Sequence, residues 1–392
     1  MNKQLVNNKL IHIVANPEVL ILAYETIKSE PGNETPGVDA QTLDGINLNW
    51  IQNTSKLLLA GKYKFKAARR VYIPKKGKNK KRPLTISSPR DKLVQQAMYL
   101  VLNAIYEPSF LESSHGSRPG KGNHTALKSI KLKFQGVKWC IEADIKSNFS
   151  SISHKILLSL LRKRISCEKF LTLVKRSIKA GFIEDGVFKE SNLGLFQGNI
   201  TSPILNNVYL HELDVFMDEL CDDFTSGKYR RRSSLFRNIL YRMEKETDIE
   251  EIKKLRKELW QVQSKDPMDP NFKRLFYVRY VDDFVVGVVG SRKDAIDIKE
   301  RVMCFLEENL KLILSDEKSL ITHFSKRPIT FLGTLIKGNW EKEKRIKLVR
   351  KLGVLRKVRI TGRPVLKAPI KDLFLKATVN GFFKHKAGKF VP

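Results

Sequence analysis

Apolar residues along the chain follow two different spacings, which predict helices in some segments and strands in others. Helical spacing, with turn chemistry at Thr35-Pro-Gly-Val-Asp39, predicts two helical segments near the N-terminus. The same spacing recurs later, supported by Pro near a helix start and Gly just past a helix end. Helices are predicted over residues 1–30, 45–60, 89–106, 149–164, from 203 onward, 293–309 and 369–380.

Runs of β-branched and aromatic residues predict strands between these helices. Residues 137–145 are predicted to form a buried strand that closes with Asp144. Residues 277–288 are predicted to form two strands around Asp282 and Asp283, and residues 329–333 another strand. Because helices and short strands alternate in this order, the pattern indicates an α+β fold with antiparallel pairing.

The adjacent carboxylates Asp282 and Asp283 interrupt an otherwise apolar run. Two interpretations stay open from this stretch alone. In a surface turn, Asp is common because its side chain caps nearby amides. In a metal site, paired carboxylates supply the oxygen ligands that hard divalent cations prefer.

The composition favours a globular protein with a polyanionic partner. The chain has 392 residues, 42% of them hydrophobic, which is enough for two or three packed domains. It carries 73 Lys and Arg against 41 Asp and Glu, a formal charge of +32. Nucleic acid is favoured over a membrane surface because no apolar run approaches the ~18 residues of a membrane span. The four cysteines have no C-x-x-C spacing, which argues against a zinc site or a disulfide framework.

Three segments concentrate the positive charge. Residues 62–82 hold eleven Lys or Arg and no acid, and their period-two pattern around residues 69–74 predicts a basic β-hairpin that contacts phosphates. Residues 228–271 are interpreted as an insertion with a charged, solvated helix near 235–263. Residues 341–392 hold sixteen Lys or Arg against three acids. A charge run is often only a solvated face, but here the basic hairpin favours nucleic-acid or triphosphate contact.

Asp144 is a possible third member of a carboxylate cluster with Asp282 and Asp283. If the strand that ends in Asp144 is a neighbour of the hairpin, the three carboxylates form a cluster that Mg²⁺ would neutralise. Two such ions can activate an attacking hydroxyl and stabilise a leaving pyrophosphate, as nucleotidyl transfer requires. The sequence therefore predicts a metal-dependent nucleotidyltransferase site.

The order of the motifs resembles the reverse transcriptase encoded within group II introns, in its organellar form with maturase activity. The resemblance covers nearly the whole chain. It is carried by Thr35-Pro-Gly-Val-Asp39, Lys81-Arg-Pro-Leu84, His115-Gly with Arg118-Pro-Gly120, Ala143-Asp-Ile-Lys146, Gln197-Gly198 with Ser202-Pro203, Tyr280-Val-Asp-Asp283, Lys318 and Phe331-Leu-Gly333.

The resemblance implies a right-hand polymerase fold with fingers, palm with an antiparallel sheet, and helical thumb. Residues 1–61 are expected to form an N-terminal helical extension and residues 62–136 the fingers. Residues 137–338 are expected to form the palm, with a fingers-like portion and the insertion at about 228–271. Residues 339–392 are expected to contain the thumb and the beginning of the maturase X region, cut short by the end of the chain.

The resemblance also implies roles for individual residues. Asp144, Asp282 and Asp283, helped by the Ile145 carbonyl, are expected to bind two Mg²⁺, and Lys318 to lie near the leaving phosphate. Phe149 is expected to exclude a 2′-hydroxyl from the incoming nucleotide. The residues expected to bind substrate are Gln197, Gly198, Arg82, Lys76 and Arg118. Those expected to bind RNA are Arg69, Arg70 and Lys75.

The implied activity is RNA-directed DNA polymerisation, with an RNA template, a DNA primer, dNTPs and group II intron RNA as partners. Departures from the family pattern lie at Ser147–Ser150 and Leu195–Asn199. They keep open a maturase-type RNA-binding protein with weak or lost polymerase activity, and a non-functional remnant. The expected location is the mitochondrion, with a plastid or the bacterial cytoplasm as alternatives.

Overall fold

The computed structural model describes residues 7–30, 32, 35–74, 81–266, 269–338, 346–351, 354–359, 363–379, 384–386 and 389–391. The helices are α1 (Leu10–Val14), α2 (Pro17–Ile27), α3 (Leu48–Leu59), α4 (Pro89–Tyr106), α5 (Asn123–Lys133), α6 (Asn148–Ser151), α7 (His154–Arg162), α8 (Glu168–Ile178), α9 (Ser202–Phe224), α10 (Ser234–Lys245), α11 (Ile249–Gln261), α12 (Arg292–Leu310) and α13 (Ile370–Val379). The strands are β1 (Ala68–Pro74), β2 (Lys81–Ile86), β3 (Trp139–Asp144), β4 (Phe182–Glu184), β5 (Val187–Lys189), β6 (Arg274–Tyr280), β7 (Asp283–Val289), β8 (Leu320–His323), β9 (Ile329–Phe331), β10 (Thr334–Lys337), β11 (Ile346–Lys351), β12 (Val354–Arg359), β13 (Val365–Lys367), β14 (Lys384–Lys386) and β15 (Lys389–Val391). This mixture of helices and sheets confirms the predicted α+β class.

An antiparallel sheet of four strands, in the order β6-β7-β3-β8, lies at the centre of the fold. Strands β6 and β7 form the predicted hairpin, whose connection is only Val281 and Asp282 because Tyr280 pairs with Asp283. Strand β3 pairs with β7 so that Asp144 lies opposite Asp283. The predicted neighbourhood of the two acidic strand ends is therefore confirmed.

Both faces of this sheet are buried, which explains why β7 is apolar without interruption. Side chains alternate between the two faces along a strand. Ile141 and Val286 join the larger core with residues of α9 and α12, whereas Cys140 and Val285 join a second core with Phe134. Helix packing on both faces fixes the position of the strand ends that carry the aspartates.

The N-terminal segment is helical, as predicted, but its first element is divided. Asn16 adopts an extended backbone and its side chain accepts a hydrogen bond from the Glu18 amide at 3.0 Å. Pro17 then begins a new helix, since Pro is well suited to the first helical position. The single helix predicted over residues 1–30 is therefore α1 followed by α2, and α3 lies within the predicted second helix.

The basic hairpin forms as predicted, with β1 antiparallel to β2. Strand β4 extends it by pairing in parallel with β1, and β5 pairs with β4. The predicted connection of the hairpin, including Lys75 and Lys76, lies outside the described residues. The outcome is a four-stranded sheet in the order β2-β1-β4-β5.

The charged insertion differs from the prediction of one helix near residues 235–263. It contains two helices, α10 and α11, that pack on each other around the buried side chains of Ile239 and Leu255. Asp248 divides them because it is extended and its side chain accepts a hydrogen bond from the Glu250 amide at 3.0 Å. This N-cap starts a new helix where the periodicity suggested a continuous one.

The prediction of a helical thumb is met only by α13 among the described part of residues 339–392. Strands β11 and β12 form an antiparallel hairpin, and β13 pairs with β10. The β-branched residues at Ile346, Val349 and Val354 favour this extended structure over a helix. The division into fingers, palm and thumb stays a prediction. No helix within the described ranges has the length and apolar character needed to cross a membrane.

Candidate active site

The candidate site is built at one end of the central sheet, where two strands place aspartates side by side. Asp144 closes β3 and Asp283 opens β7, and the two are direct partners in the antiparallel register. Asp282 occupies the turn before β7, and its carbonyl oxygen accepts a hydrogen bond from the Ile145 amide at 3.4 Å. Three carboxylates from two distant parts of the sequence therefore become neighbours.

Crowding and burial change the protonation of these groups. Burial, a hydrogen bond with the Asp144 carboxyl group and the charges of Asp144 and Asp282 raise the pKa of Asp283 to about 7. Burial also raises the pKa of Asp282, with a further contribution from the charge of Asp144. A positive charge nearby would favour the ionised forms of Asp282 and Asp283.

Lys318 supplies one such charge. The segment before it is fixed to β3, because the Ser315 amide donates to the Asp144 carbonyl at 2.8 Å and the Lys146 amide donates to the Ile313 carbonyl at 2.9 Å. Lys318 Nζ then forms an ion pair with Asp144 Oδ2. This hydrogen bond to Asp144 raises the pKa of Lys318, so the lysine remains charged.

The donor set fits a hard divalent cation by its chemistry, since every acidic group at this end of the sheet offers carboxylate oxygens. Burial and the neighbouring carboxyl groups, which together raise the pKa of Asp283, also favour a cation. The side chains do not converge fully, however. Asp282 accepts a hydrogen bond from its own backbone amide. Within the described ranges, no three His, Cys, Asp or Glu side chains come close enough together to hold a metal ion.

A cleft of about 960 Å³ opens beside the aspartates. One wall comes from the basic hairpin and includes Arg82 and Leu84 of β2. The lining also includes Asp144, Ser147 and Lys318. Burial raises the pKa of Asp282, and the positive charge of Arg82 in the cleft lining partly opposes this shift. Such a space suits a ligand that carries both phosphates and a bound cation.

Comparisons with known proteins agree with this geometry. The family model for reverse transcriptase (RNA-dependent DNA polymerase) matches residues 73–336. The chain is 38% identical, over 98% of its length, to the putative COX1/OXI3 intron 1 protein of Saccharomyces cerevisiae, of which it covers 46%. It is 36% identical, over 93% of its length, to the group II intron-encoded protein LtrA of Lactococcus lactis subsp. cremoris, of which it covers 61%. The chain belongs to the reverse transcriptase family of group II introns.

The chain spans about half the length of these curated relatives. A shorter relative, protein YkfC of Escherichia coli, is 34% identical over 83% of this chain and is itself covered to 82%. The family inferred from the order of the motifs is therefore confirmed, and the family-model match begins at the end of β1 and includes the central sheet.

The Gln197-Gly198 turn of this family member is joined to the strand that carries Arg82. The Thr85 amide donates to the Gln197 carbonyl at 2.7 Å. Gly198 has a φ of +118°, and a Cβ there would lie 2.3 Å from the Thr85 carbonyl oxygen, so only glycine fits. The Gln197 side-chain oxygen Oε1 is buried without a hydrogen-bond partner among the described residues.

The residues that depart from the family pattern beside this turn pack inward. Leu195 and Phe196 are 5% and 6% exposed. Asn199 is buried. Its side-chain nitrogen Nδ2 donates to Ser177 Oγ at 3.2 Å, and its side-chain oxygen Oδ1 accepts from the Thr201 backbone amide at 2.9 Å. The Phe149 carbonyl accepts from the Leu195 amide at 2.6 Å, so the predicted gate residue is tied to the same loop.

Arg118 is the predicted substrate-binding residue that the structure places elsewhere. Its side chain is 4% exposed and pairs with Glu107 at 2.8 Å. It also donates to the carbonyl oxygens of Leu111 and Ser114 at 2.7 and 2.8 Å. Because its donors are used to fix this loop, the predicted substrate contact of Arg118 is corrected to a structural role.

The predicted RNA contacts of Arg69 and Arg70 have neighbours within the protein. Arg69 donates to the Pro36 carbonyl at 3.3 Å. The Arg70 guanidinium carbon lies 3.6 Å from the centroid of the Phe182 ring, which is a cation–π contact. Both side chains are half-buried in the basic hairpin, and their contact with RNA stays a prediction.

A buried ion pair behind the Val281-Asp282 turn was missed by the sequence reasoning. Arg279 of β6 and Asp214 of α9 are both fully buried and form an ion pair at 2.5 Å. Arg279 Nη1 also donates to the Val281 carbonyl at 2.9 Å, and Tyr277 donates to Asp214 at 3.0 Å. The available signal was an arginine within an apolar strand, two residues before the turn.

Proposed function

We propose that this protein is an RNA-directed DNA polymerase of a group II intron that also binds intron RNA to assist splicing. The observation that carries the proposal is the register that opposes Asp144 and Asp283 beside a cleft that Arg82 also lines. Carboxylates for a metal and a guanidinium for phosphates around one cleft are what nucleotidyl transfer from a triphosphate requires.

Asp144, Asp282 and Asp283 would hold Mg²⁺, with the Ile145 carbonyl as a further oxygen ligand. Bound Mg²⁺ supplies a positive charge that activates the primer hydroxyl and stabilises the leaving pyrophosphate. Lys318, which stays charged beside Asp144, provides a cation near the leaving group. These assignments rest on the chemistry of the donors and on their shared position at the end of the sheet.

The cleft would bind the incoming dNTP. Arg82 holds the triphosphate by charge-assisted hydrogen bonds. The unpartnered Gln197 oxygen and the backbone near Gly198 line the nucleotide, and Phe149 limits the space available to a 2′-hydroxyl. Lys76 contacts the triphosphate and Lys75, Arg69 and Arg70 contact the RNA strand, which assigns the basic hairpin to the template side.

The formal charge of +32 supports a large RNA partner in addition to a primer–template duplex. A maturase-type RNA-binding protein with weak or lost polymerase activity is the second candidate. It is favoured by the incomplete convergence of the carboxylates, since Asp282 bonds to its own amide. The relatives named for COX1/OXI3 and cob introns, and a nuclear intron maturase named as mitochondrial, support a mitochondrial location.

Primer extension on an RNA template tests the polymerase proposal directly. With Mg²⁺ and dNTPs, the protein is expected to extend a DNA primer annealed to a short RNA, and chelation of Mg²⁺ should stop the reaction. Affinity for a structured intron RNA is measured in parallel. Tight RNA binding without any nucleotide incorporation would contradict the polymerase proposal and support the maturase-type candidate.

Arg82→Ala is expected to raise the KM for dNTP by roughly tenfold or more, because a charge-assisted hydrogen bond contributes about 1.5–3 kcal/mol. The matched control is Lys81→Ala. Lys81 is the exposed neighbour on the same strand, and adjacent side chains point to opposite faces. Steady-state primer extension at varied dNTP checks the pair, and an equal effect of the two substitutions would contradict the assignment of Arg82.

A further inference from the structure

The helical insertion, residues 228–271, is held at a defined position on the palm sheet. Ser226 and Lys273 exchange two backbone hydrogen bonds of 3.1 Å at its base. Arg274 donates to the Ser226 and Gly227 carbonyls at 2.6 Å each. Because α10 and α11 also pack against each other through buried side chains, the insertion is an ordered helical hairpin.

Charge is segregated along this insertion. Residues 228–242 hold six Lys or Arg and no acid, and residues 253–265 hold five Lys or Arg and one acid. Residues 244–251, at the connection between the helices, hold five acids and one Lys. Acids at the start of α11 are explained by the helix dipole. The cations of residues 228–242 and 253–265, here called the insertion base, need another explanation.

Most exposed cations of the insertion base have no acidic partner. Ion pairs within the insertion join Arg231 to Asp266, Arg242 to Glu258, Lys253 to Glu250 and Lys254 to Glu251. Among the described residues, the following exposed cations belong to no ion pair: Lys228, Arg232, Arg237, Arg256, Lys257 and Lys265. A dense group of unpaired cations is unfavourable on its own and fits a polyanion.

Exposed aromatic rings lie among these cations. Tyr229 is 75% exposed, with Lys228 Nζ 5.8 Å from its ring centroid, and Tyr241 is 57% exposed. Aromatic and basic side chains together are typical of surfaces that bind RNA, where unpaired bases stack and phosphates pair with cations. This combination favours RNA over an acidic protein as the partner.

The insertion base lies away from the reacting nucleotide. It joins the sheet at the start of β6, whereas Asp282 follows the end of β6, and a strand of seven residues spans about 20 Å. We propose that the insertion base is a second RNA-binding surface, which holds structured intron RNA separately from the primer–template cleft. This inference rests on the proposed intron-RNA partner and adds the surface that binds it.

The test removes four unpaired cations together: Arg232→Ala, Arg237→Ala, Arg256→Ala and Lys257→Ala. Affinity for a structured intron RNA transcript is expected to fall at least about tenfold, and the slope of log affinity against log salt to decrease by about 2–4. The turnover of primer extension on a short RNA–DNA primer–template is expected to stay within about twofold, since this substrate reaches only the cleft.

The matched control removes four exposed cations from other helices: Lys56→Ala, Lys128→Ala, Lys155→Ala and Arg301→Ala. It loses the same net charge and is expected to weaken the intron RNA by less than about threefold. Replacing Arg232, Arg237 and Arg256 by Lys instead of Ala should retain most of the affinity, which separates charge from folding. Equal losses in test and control, or no loss in either, would overturn the proposal.

Measurements on the short primer–template and on the intron transcript distinguish failure of this inference from failure of the polymerase proposal. If the test variant loses affinity for the short primer–template by the same factor as for the intron transcript, the insertion base takes part in template binding and the inference is wrong. If wild-type protein extends no primer but the test and control variants still differ on intron RNA, the polymerase proposal fails and the second surface stands.

Discussion

Asp283→Asn is expected to lower the rate of primer extension by about a thousandfold or more. The substitution keeps the size of the side chain but removes a charged oxygen from the carboxylate group that would hold Mg²⁺. Metal-held charge contributes several kcal/mol to the transition state, and about 4 kcal/mol corresponds to a thousandfold in rate. Single-nucleotide incorporation by a saturating concentration of enzyme measures this rate without interference from product release.

The control for this variant is Asp297→Asn, which neutralises an exposed carboxylate on α12 outside the cleft. It should leave the rate within about twofold, because exposed charges contribute little. Intron RNA affinity of Asp283→Asn should stay within a few fold of wild type, since removing one negative charge does not weaken binding to a polyanion. Loss of RNA binding in a folded Asp283→Asn protein would contradict the separation between synthesis and RNA binding.

The clustering of aspartates at one end of the sheet could be predicted from sequence because its signal is local. Two aspartates in an apolar hairpin and one at the end of a buried strand have few structural alternatives. The boundaries of α4, predicted at residues 89 and 106, match because Pro89 starts the helix and its apolar face is regular. Local chemistry also explains the Gln197-Gly198 turn, where the close approach to Thr85 needs glycine.

The errors arise where a pattern has two physical explanations. Arg118 lies in a Gly-rich basic segment, which suits a phosphate as well as a loop that binds Glu107. The insertion has continuous helical periodicity, yet the Asp248 cap divides it. In the C-terminal segment, β-branched residues form strands where the family resemblance suggested helices. Sequence spacing alone does not decide such cases, because the deciding partner is elsewhere in the fold.

The Arg279–Asp214 pair is the clearest example, since its members are 65 residues apart in sequence. Burial alone would lower the pKa of Arg279, but the charge of Asp214 raises it above its ordinary value, so the guanidinium stays ionised inside the core. The same guanidinium holds the Val281 carbonyl in the turn before Asp283. The pair therefore joins the stability of the central sheet to the position of Asp282 and Asp283.

Asp214→Ala is expected to lower the free energy of unfolding by about 3–5 kcal/mol, because it leaves a buried arginine without its countercharge. Urea denaturation followed by circular dichroism checks this loss. Glu212→Ala is the matched control. Glu212 lies on the same helix and forms an ion pair with Lys163 at 2.9 Å, and the side chains of Glu212 and Lys163 are 34% and 53% exposed. An exposed pair contributes about 0–1 kcal/mol, so equal destabilisation by the two variants would contradict the role of burial.

The double variant Asp214→Leu with Arg279→Met separates folding from catalysis. Replacing both members of a buried ion pair by apolar residues of similar size is often close to neutral, so stability should recover by at least half. Synthesis should not recover with it, because Val281 has lost the donor that fixes the turn. If the folded double variant extends primers at the wild-type rate, Arg279 stabilises the sheet without positioning Asp282 and Asp283. A low rate at normal stability and unchanged RNA affinity would assign the ion pair to the geometry of the active site.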